Sequence, residues 1–121
     1  MTDQELLALA QDAAANAYAP YSNFHVGAAA LLRDGKVITG VNVENAAYPL
    51  GICAEKSAIA AAVTAGYRPG DLEEIAITAP PCGGCRQWLF EFKLDRVTFK
   101  GADGELVTRT PAELLPDTFE L

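Results

Sequence analysis

The stretch from residue 54 to 65 constrains the fold of this chain more than any other part of the sequence. Its apolar residues recur at a spacing that predicts a helix, and Gly66 is a natural residue to end it. Apolar side chains lie on nearly every side of this helix, so nearly every side must be covered. A chain of 121 residues has room for one domain only, which makes that coverage hard to achieve within one copy. The sequence therefore favours an oligomer.

Short apolar runs divided by turn residues predict the remaining elements. Thr2-Asp3-Gln4-Glu5 has the pattern of a capping box, so a helix begins there and ends before Pro20. Arg33-Asp34-Gly35-Lys36 predicts a hairpin turn. The element order is α-β-β-α-β-α-β-β-α. After the first helix it comprises strands 26–32 and 37–44, helix 54–65, strand 74–79, helix 81–92, strands 95–100 and 106–110, and a helical turn at 111–115.

Charge and composition exclude several classes of protein. The net charge is −7 and the pI is near 4.5, so long nucleic acids and acidic membranes are poor partners. No apolar run approaches the ~18 residues of a membrane span. The acidic start Met1-Thr2-Asp3-Gln4-Glu5 is unlike a secretory signal, and three cysteines are an odd count for a disulfide framework. We expect a cytoplasmic protein whose cysteines have a metal-binding or catalytic use.

The three cysteines have the spacing of a metal site. Cys82 and Cys85 lie three residues apart at the start of a predicted helix, so both thiols can face one point. Gly83 and Gly84 between them let backbone amides approach that point. Cys53 begins the other helix, and helix N-termini favour thiolate over thiol. Three thiolates suffice for a catalytic zinc, which keeps three protein ligands and leaves the fourth position to water.

Other uses of these cysteines remain open on the sequence alone. They can be buried free thiols, or Cys82-Gly83-Gly84-Cys85 can be a redox pair, which leaves no use for Cys53. An iron–sulfur cluster is a more remote alternative, because such clusters normally take four cysteines. A structural zinc would need a fourth protein ligand, and His25 is the remaining candidate.

Glu55 lies two residues after Cys53, in the first turn of the predicted helix. Taken alone, a carboxylate there complements the helix dipole. Beside three cysteines a second interpretation is favoured, because zinc lowers the pKa of a bound water to roughly 7 and a nearby carboxylate can accept its proton. The sequence therefore indicates an acid–base role for Glu55.

At least four separated motifs carry a resemblance to a known family. Cys53-Ala54-Glu55 and Pro81-Cys82-Gly83-Gly84-Cys85-Arg86-Gln87 resemble the zinc signature of the cytidine deaminase superfamily. Segments 21–29, 40–48 and 114–119 resemble the first strand, the substrate strand and the C-terminal motif of its small enzymes for free nucleosides. The resemblance runs from about residue 18 to 119. It implies one domain, residues 1–121, with a three-layer α-β-α fold and a mixed five-stranded sheet.

The resemblance implies a complete metal site. The three cysteines would hold one zinc ion per chain, and Glu55 would move protons. Three thiolates and one zinc carry a net negative charge, which Lys56 and Arg86 would help to balance. Lys56 stands where the family usually has arginine and lacks the bidentate fork of that side chain, so we expect Arg86 to take a larger share of this role.

The resemblance also implies a substrate site. Asn42 and Glu44 lie two residues apart on one strand face and would hydrogen-bond the sugar, chiefly its 3′-hydroxyl. Phe24 would pack against the nucleoside, and the backbone around Ala54 would read the base edge. Neighbouring subunits of a homotetramer with shared active sites would supply three further residues: Ala46, Tyr48 and Phe119.

The implied reaction is the hydrolysis of cytidine and 2′-deoxycytidine to uridine and 2′-deoxyuridine with release of ammonia, a step of pyrimidine salvage. Alternatives are deamination of an aminonucleoside, as in blasticidin deaminases, and a non-catalytic zinc protein that senses nucleosides. Editing of RNA or DNA is disfavoured by the negative charge. Two departures from the family affect the expectation. The connection Pro80-Pro81 is short, which we expect to widen the pocket, and Trp88, which we expect in the core, replaces a smaller aliphatic residue. No role is assigned to His25.

Overall fold

The computed structural model describes residues 1–121, and its elements follow the predicted order. A single 3-10 turn at Tyr48–Leu50 is the only addition. No helix combines the length and the hydropathy needed to cross a bilayer. The helices and strands are α1 (Asp3–Ala14), β1 (Gly27–Leu32), β2 (Val37–Val41), α2 (Ala54–Thr64), β3 (Leu72–Ile77), α3 (Gly83–Glu91), β4 (Arg96–Lys100), β5 (Leu106–Arg109) and α4 (Pro111–Leu114).

The strands form one mixed sheet in the order β2-β1-β3-β4-β5. β1 is antiparallel to both β2 and β3, and β5 is antiparallel to β4. Only β3 and β4 are parallel, because α3 connects them as a crossover helix. The predicted mixed five-stranded sheet is therefore confirmed.

Helices cover the two faces of this sheet. Along β1, Ala29 and Leu31 face the side on which Leu6 of α1 is buried. Ala28 and Ala30 point to the opposite side and join a larger core that includes Ile59 of α2. A strand with apolar residues on both faces needs a helical layer on each side, which is why the chain folds as three layers.

Gly40 of β2 sets the position of α2 on the sheet. A Cβ at this position would lie 2.3 Å from the backbone N of Ala58 and 2.7 Å from the carbonyl O of Ala54. Both distances are too short for any side chain, so only glycine lets the helix backbone approach this closely. This contact fixes the N-terminal turns of α2, and with them Cys53, beside the end of β2.

β2 ends earlier than predicted, at Val41 rather than at residue 44. Val43 leaves the sheet and forms isolated bridges with Tyr18 and Ile52 instead. These bridges draw the segments before β1 and before α2 together across the end of β2. The residues after Val41 therefore line a cavity instead of extending a strand.

The expectation that Trp88 belongs to the core is wrong, since 37% of it is exposed. On α3 only Cys85 and Leu89 are buried, so a narrow face of this helix meets the sheet. Trp88 lies outside that face and stacks on Phe92, with ring centroids 6.4 Å apart. α3 also begins at Gly83 and not at residue 81, because Cys82 is its N-cap.

Candidate active site

Three sulfur atoms from the starts of two helices converge on one point. Cys53 is the N-cap of α2, Cys82 is the N-cap of α3, and Cys85 lies in the first turn of α3. Their Sγ atoms all lie within 4.8 Å of one another, and those of Cys53 and Cys82 are 3.8 Å apart. Zinc–sulfur bonds of about 2.3 Å in a tetrahedron separate the sulfurs by about 3.8 Å, so this donor set fits zinc.

The cluster contains no fourth protein ligand. It comprises the three cysteines alone, and His25 is exposed and outside it. Structural zinc sites are closed by four protein ligands, whereas catalytic sites keep one position open. The donor set therefore matches a catalytic site. None of the three cysteines forms a disulfide.

The thiols differ in how readily they ionise. Burial and the charge of Glu55 raise the pKa of Cys85 far above its ordinary value, and burial also raises the pKa of Cys53. Burial opposes ionisation of Cys82 as well, but the backbone N–H of Cys85 and the two neighbouring thiols together lower its pKa. Three thiolates this close repel one another, so a divalent cation is the partner that stabilises all three.

Glu55 is buried beside this cluster, with 3% of the residue exposed. It lies in the first turn of α2, where a residue that only complemented the helix dipole would remain in solvent, as Glu5 of α1 and Glu113 of α4 do. Burial raises the pKa of Glu55, while a hydrogen bond with Cys85 opposes this shift. A buried carboxyl group whose pKa is raised is suited to proton transfer near neutral pH.

A cavity of about 840 Å³ opens from these residues toward solvent. Glu55, Cys53 and Cys82 line it, and so does Ala54 at the start of α2. Its size is that of a small-molecule site and is ample for a nucleoside. The residues predicted to contact substrate that line this cavity are Phe24, Asn42, Glu44, Ala46, Tyr48 and Ala54.

Asn42 and Glu44 organise the loop that carries Phe24. Asn42 Oδ1 accepts a hydrogen bond from the backbone N–H of Val26 at 2.9 Å, and its Nδ2 donates to the carbonyl O of Phe24 at 2.8 Å. Glu44 Oε1 accepts from the backbone N–H of Tyr21 at 2.9 Å, and Oε2 accepts from the hydroxyl of Ser22. The bond with Ser22 lowers the pKa of Glu44, so this carboxylate is ionised at neutral pH.

The three residues assigned to neighbouring subunits are placed differently from one another. The contribution of Ala46 and Tyr48 to a neighbouring active site stays a prediction; in their own chain both residues line the cavity. The reason is the 3-10 turn at Tyr48–Leu50, which folds the segment between β2 and α2 over the cavity mouth. Phe119 is 74% exposed and does not line this cavity.

Two basic residues flank the cysteines. Arg86 Nε donates to the carbonyl O of Pro81 at 2.9 Å, and its Nη1 donates to the carbonyl O of Leu114 at 3.1 Å. Its hydrogen bonds thus tie the start of α3 to α4. Lys56 Nζ lies 3.7 Å from the point where a Cβ would stand on Gly84, between Cys82 and Cys85.

Sequence reasoning missed Tyr21 and Ser22 as part of the site. Both line the cavity and hold Glu44 through backbone N–H groups, at 2.9 Å and 3.1 Å respectively. Ala79 and Pro80 of the short connection after β3 also line it. The aromatic, Pro, Ser and Asn residues of segment 18–24 predict a loop, but nothing in the sequence pattern indicates that Glu44 binds this loop.

Comparison with known proteins agrees with this geometry. A family model described as "Cytidine and deoxycytidylate deaminase zinc-binding region" matches residues 1–100. The cytidine deaminase of Halalkalibacterium halodurans is 43% identical, over 98% of this chain and 95% of that protein. The crystal structure of cytidine deaminase from Burkholderia pseudomallei superposes with a TM-score of 0.92 at 44% identity, over 98% of this chain and 100% of that one. Cytidine deaminase from Mycobacterium tuberculosis gives a TM-score of 0.85 at 40% identity, over 100% and 99%.

Proposed function

Because this chain belongs to the cytidine deaminase family, we propose that it hydrolyses the exocyclic amino group of cytidine and 2′-deoxycytidine, giving uridine or 2′-deoxyuridine and ammonia. One observation supports this proposal most directly: the three-cysteine cluster lies at the same cavity as the buried Glu55. The reaction consumes one water for each ammonia released. It therefore needs a nucleophile and a group that moves protons.

We assign zinc to Cys53, Cys82 and Cys85. When bound, zinc supplies the Lewis acid that makes water a nucleophile at neutral pH. Glu55 is the proton carrier: it accepts a proton from the attacking water and delivers it to the ring nitrogen beside the amino-bearing carbon. It then takes the second proton from the newly added hydroxyl and passes it to the departing amine, which leaves as ammonia. Its burial supports this role, because an enclosed carboxyl group exchanges protons with the substrate instead of with bulk water.

The remaining lining residues orient the nucleoside. Phe24 packs against it, and the backbone at Ala54, at the start of α2, reads the base edge next to the cysteines. Asn42 and Glu44 face the sugar from the loop after β2. The ionised Glu44 is a strong acceptor for a sugar hydroxyl, and its bonds to Tyr21 and Ser22 hold it in place.

The zinc-loaded protein is expected to deaminate cytidine and 2′-deoxycytidine, and Glu44→Ala is expected to lower kcat/KM for both by roughly 10- to 150-fold. This range corresponds to a hydrogen bond with a charged group of about 1.5–3 kcal/mol. Free cytosine lacks the sugar, so its inhibition constant should be nearly unchanged. Ultraviolet absorbance measures turnover, with zinc content determined on the same samples.

Ser22→Ala is the matched control, because it removes the hydroxyl bonded to Glu44 and leaves the carboxylate. Because the Ser22 hydroxyl only helps to hold Glu44 in place, the ratio between cytidine and cytosine affinities should change much less than in Glu44→Ala. Equal losses for cytidine and cytosine in Glu44→Ala would show that Glu44 acts on the loop and not on the sugar. No turnover of either nucleoside by fully zinc-loaded protein would contradict the proposed reaction.

We propose that the enzyme is a homotetramer. Two separate surfaces support this assembly. Ala60 and Ala61 of α2 are exposed, so the single chain covers only one side of this apolar helix. At the cavity mouth, Tyr48 is 91% and Leu50 is 70% exposed. One two-fold contact covers one such surface, and a tetramer with two kinds of two-fold contact covers both.

Within this tetramer Phe119 serves the active site of a neighbour, and mixing two inactive variants tests the assignment. An aromatic ring stacked on a base contributes roughly 1–3 kcal/mol, so Phe119→Ala should clearly impair turnover at low substrate concentration. Glu55→Ala should abolish turnover. After subunit exchange at equal amounts, about a quarter of the sites should combine Glu55 of one chain with Phe119 of another by random pairing.

Activity should therefore return on mixing. If Phe119 served its own chain, no site would contain both residues and mixing would restore nothing. Exchange is followed independently by native mass spectrometry of differently labelled chains. Confirmed subunit exchange without recovery of activity would contradict the shared active site but not the proposed reaction.

A cytoplasmic location is part of the proposal. All three cysteines are free, and Cys82 is exposed, a condition that a reducing compartment maintains. The substrate is a free nucleoside, since a net charge of −7 opposes the approach of long nucleic acids.

A further inference from the structure

The metal site carries a net negative charge that neighbouring groups must balance. Three thiolates exceed the charge of one divalent cation, so the cluster stays net negative when zinc is bound. The N-termini of α2 and α3 point their positive ends at it, since Cys53 and Cys82 are the N-caps of these helices. A nearby cation would stabilise the cluster further, provided that it is held in place.

Of the two basic side chains at the cluster, Arg86 is engaged elsewhere. Its guanidinium donates to the carbonyl oxygens of Pro81 and Leu114, at 2.9 Å and 3.1 Å. Lys56 has no hydrogen-bonded acceptor, and its ammonium lies beside Gly84, in the first turn of α3 between two of the cysteines. A lysine ammonium without a partner stabilises a nearby negative charge only weakly, because its four-carbon stem samples many rotamers.

One contact restricts this freedom. Lys56 Nζ lies 6.0 Å from the centroid of the Trp88 ring and over its face, which is the geometry of a cation–π interaction. Trp88 is itself fixed by stacking on Phe92, with an interplanar angle of 12°. The ring is one helical turn beyond Cys85 on α3, so a single helix carries both the thiol and the aromatic face.

We propose that Trp88 is a positioning residue that holds the ammonium of Lys56 next to the cysteine cluster and thereby slows the loss of zinc. The proposal rests on the assignment of the three cysteines as zinc ligands. It also gives a reason for a large aromatic residue at a partly exposed site that contributes little to the core.

The rate of zinc release into a colorimetric chelator measures the effect of Trp88 and Lys56 on zinc binding. This measurement does not depend on catalytic activity. Trp88→Leu should accelerate release about two- to fivefold, the range expected from a cation–π contact at an exposed site. Lys56→Met should accelerate release at least as much, because it removes the cation itself. In the double variant Lys56→Met/Trp88→Leu the rate should equal that of Lys56→Met, since Trp88 has no cation left to hold.

Two variants distinguish positioning from a structural role. Trp88→Phe keeps an aromatic face and should restore most of the slow release. Phe92→Leu is the comparison variant: it removes the ring on which Trp88 stacks but leaves the indole that contacts Lys56, so it should accelerate release less than Trp88→Leu does. The unfolding midpoint of zinc-free protein and the size-exclusion volume are measured for every variant.

The proposal is overturned if Trp88→Leu multiplies the release rate by the same factor with and without Lys56, or if Phe92→Leu accelerates release as much as Trp88→Leu. Both outcomes would assign Trp88 to helix packing or to a subunit interface. Failure of the ligand assignment is separately visible, because Cys85→Ala would then retain its zinc.

Discussion

Glu55→Gln is expected to keep its zinc and its fold and to lose about 10²- to 10⁴-fold in kcat, the contribution typical of one positioned acid–base group. Glutamine has nearly the same shape, so the buried first turn of α2 remains filled, but it cannot accept and return a proton. Single-turnover measurement of cytidine deamination, with zinc content determined alongside, checks this expectation.

The control for this variant is Glu5→Gln, a matched change in the first turn of α1. Glu5 is exposed and belongs to a capping box, which glutamine also satisfies. It should leave kcat unchanged. Loss of zinc from Glu55→Gln would show that Glu55 anchors the metal, and a retained rate would reduce it to a residue that complements the helix dipole.

Cys85→Ala is expected to abolish both zinc content and activity, and Cys53→Ala and Cys82→Ala should do the same. Each change leaves two thiolates at a site whose remaining position belongs to water, and two ligands are too few for a catalytic zinc. Zinc per chain, measured after extensive dialysis, and cytidine turnover are the two readouts.

Zinc-stripped wild-type protein is the reference for these variants. Stripped wild type should regain activity when zinc is added, and the cysteine variants should not. Comparing the unfolding midpoints of the zinc-free proteins separates loss of the ligand from damage to the fold, which matters most for the fully buried Cys85. Full zinc occupancy in any one variant would remove that cysteine from the ligand set.

Much of the fold could be predicted from local sequence patterns alone. The capping box at Thr2, the Asp34-Gly35 turn and the glycine stop at Gly66 each act through a few neighbouring residues, and the structure contains all three. Boundaries were less accurate where long-range pairing decides them. β2 stops at Val41 because Val43 bridges to Ile52 and Tyr18, which are distant from it in sequence.

The sequence by itself determined which chemical groups the site contains. Cys53, Cys82 and Cys85 have the type and spacing of thiolate ligands at helix starts, and Glu55 stands beside the first of them, so a zinc site with a neighbouring carboxylate could be predicted without the structure.

Only the tertiary structure decided how these groups are surrounded. Glu44 binds the loop at Tyr21 and Ser22, Ala46 and Tyr48 line the cavity of their own chain, and Lys56 lies over Trp88. Each of these contacts joins segments that come together only when the sheet has formed and its helices have packed on it. A local pattern fixes which side chains a segment carries, whereas packing between segments fixes what those side chains touch.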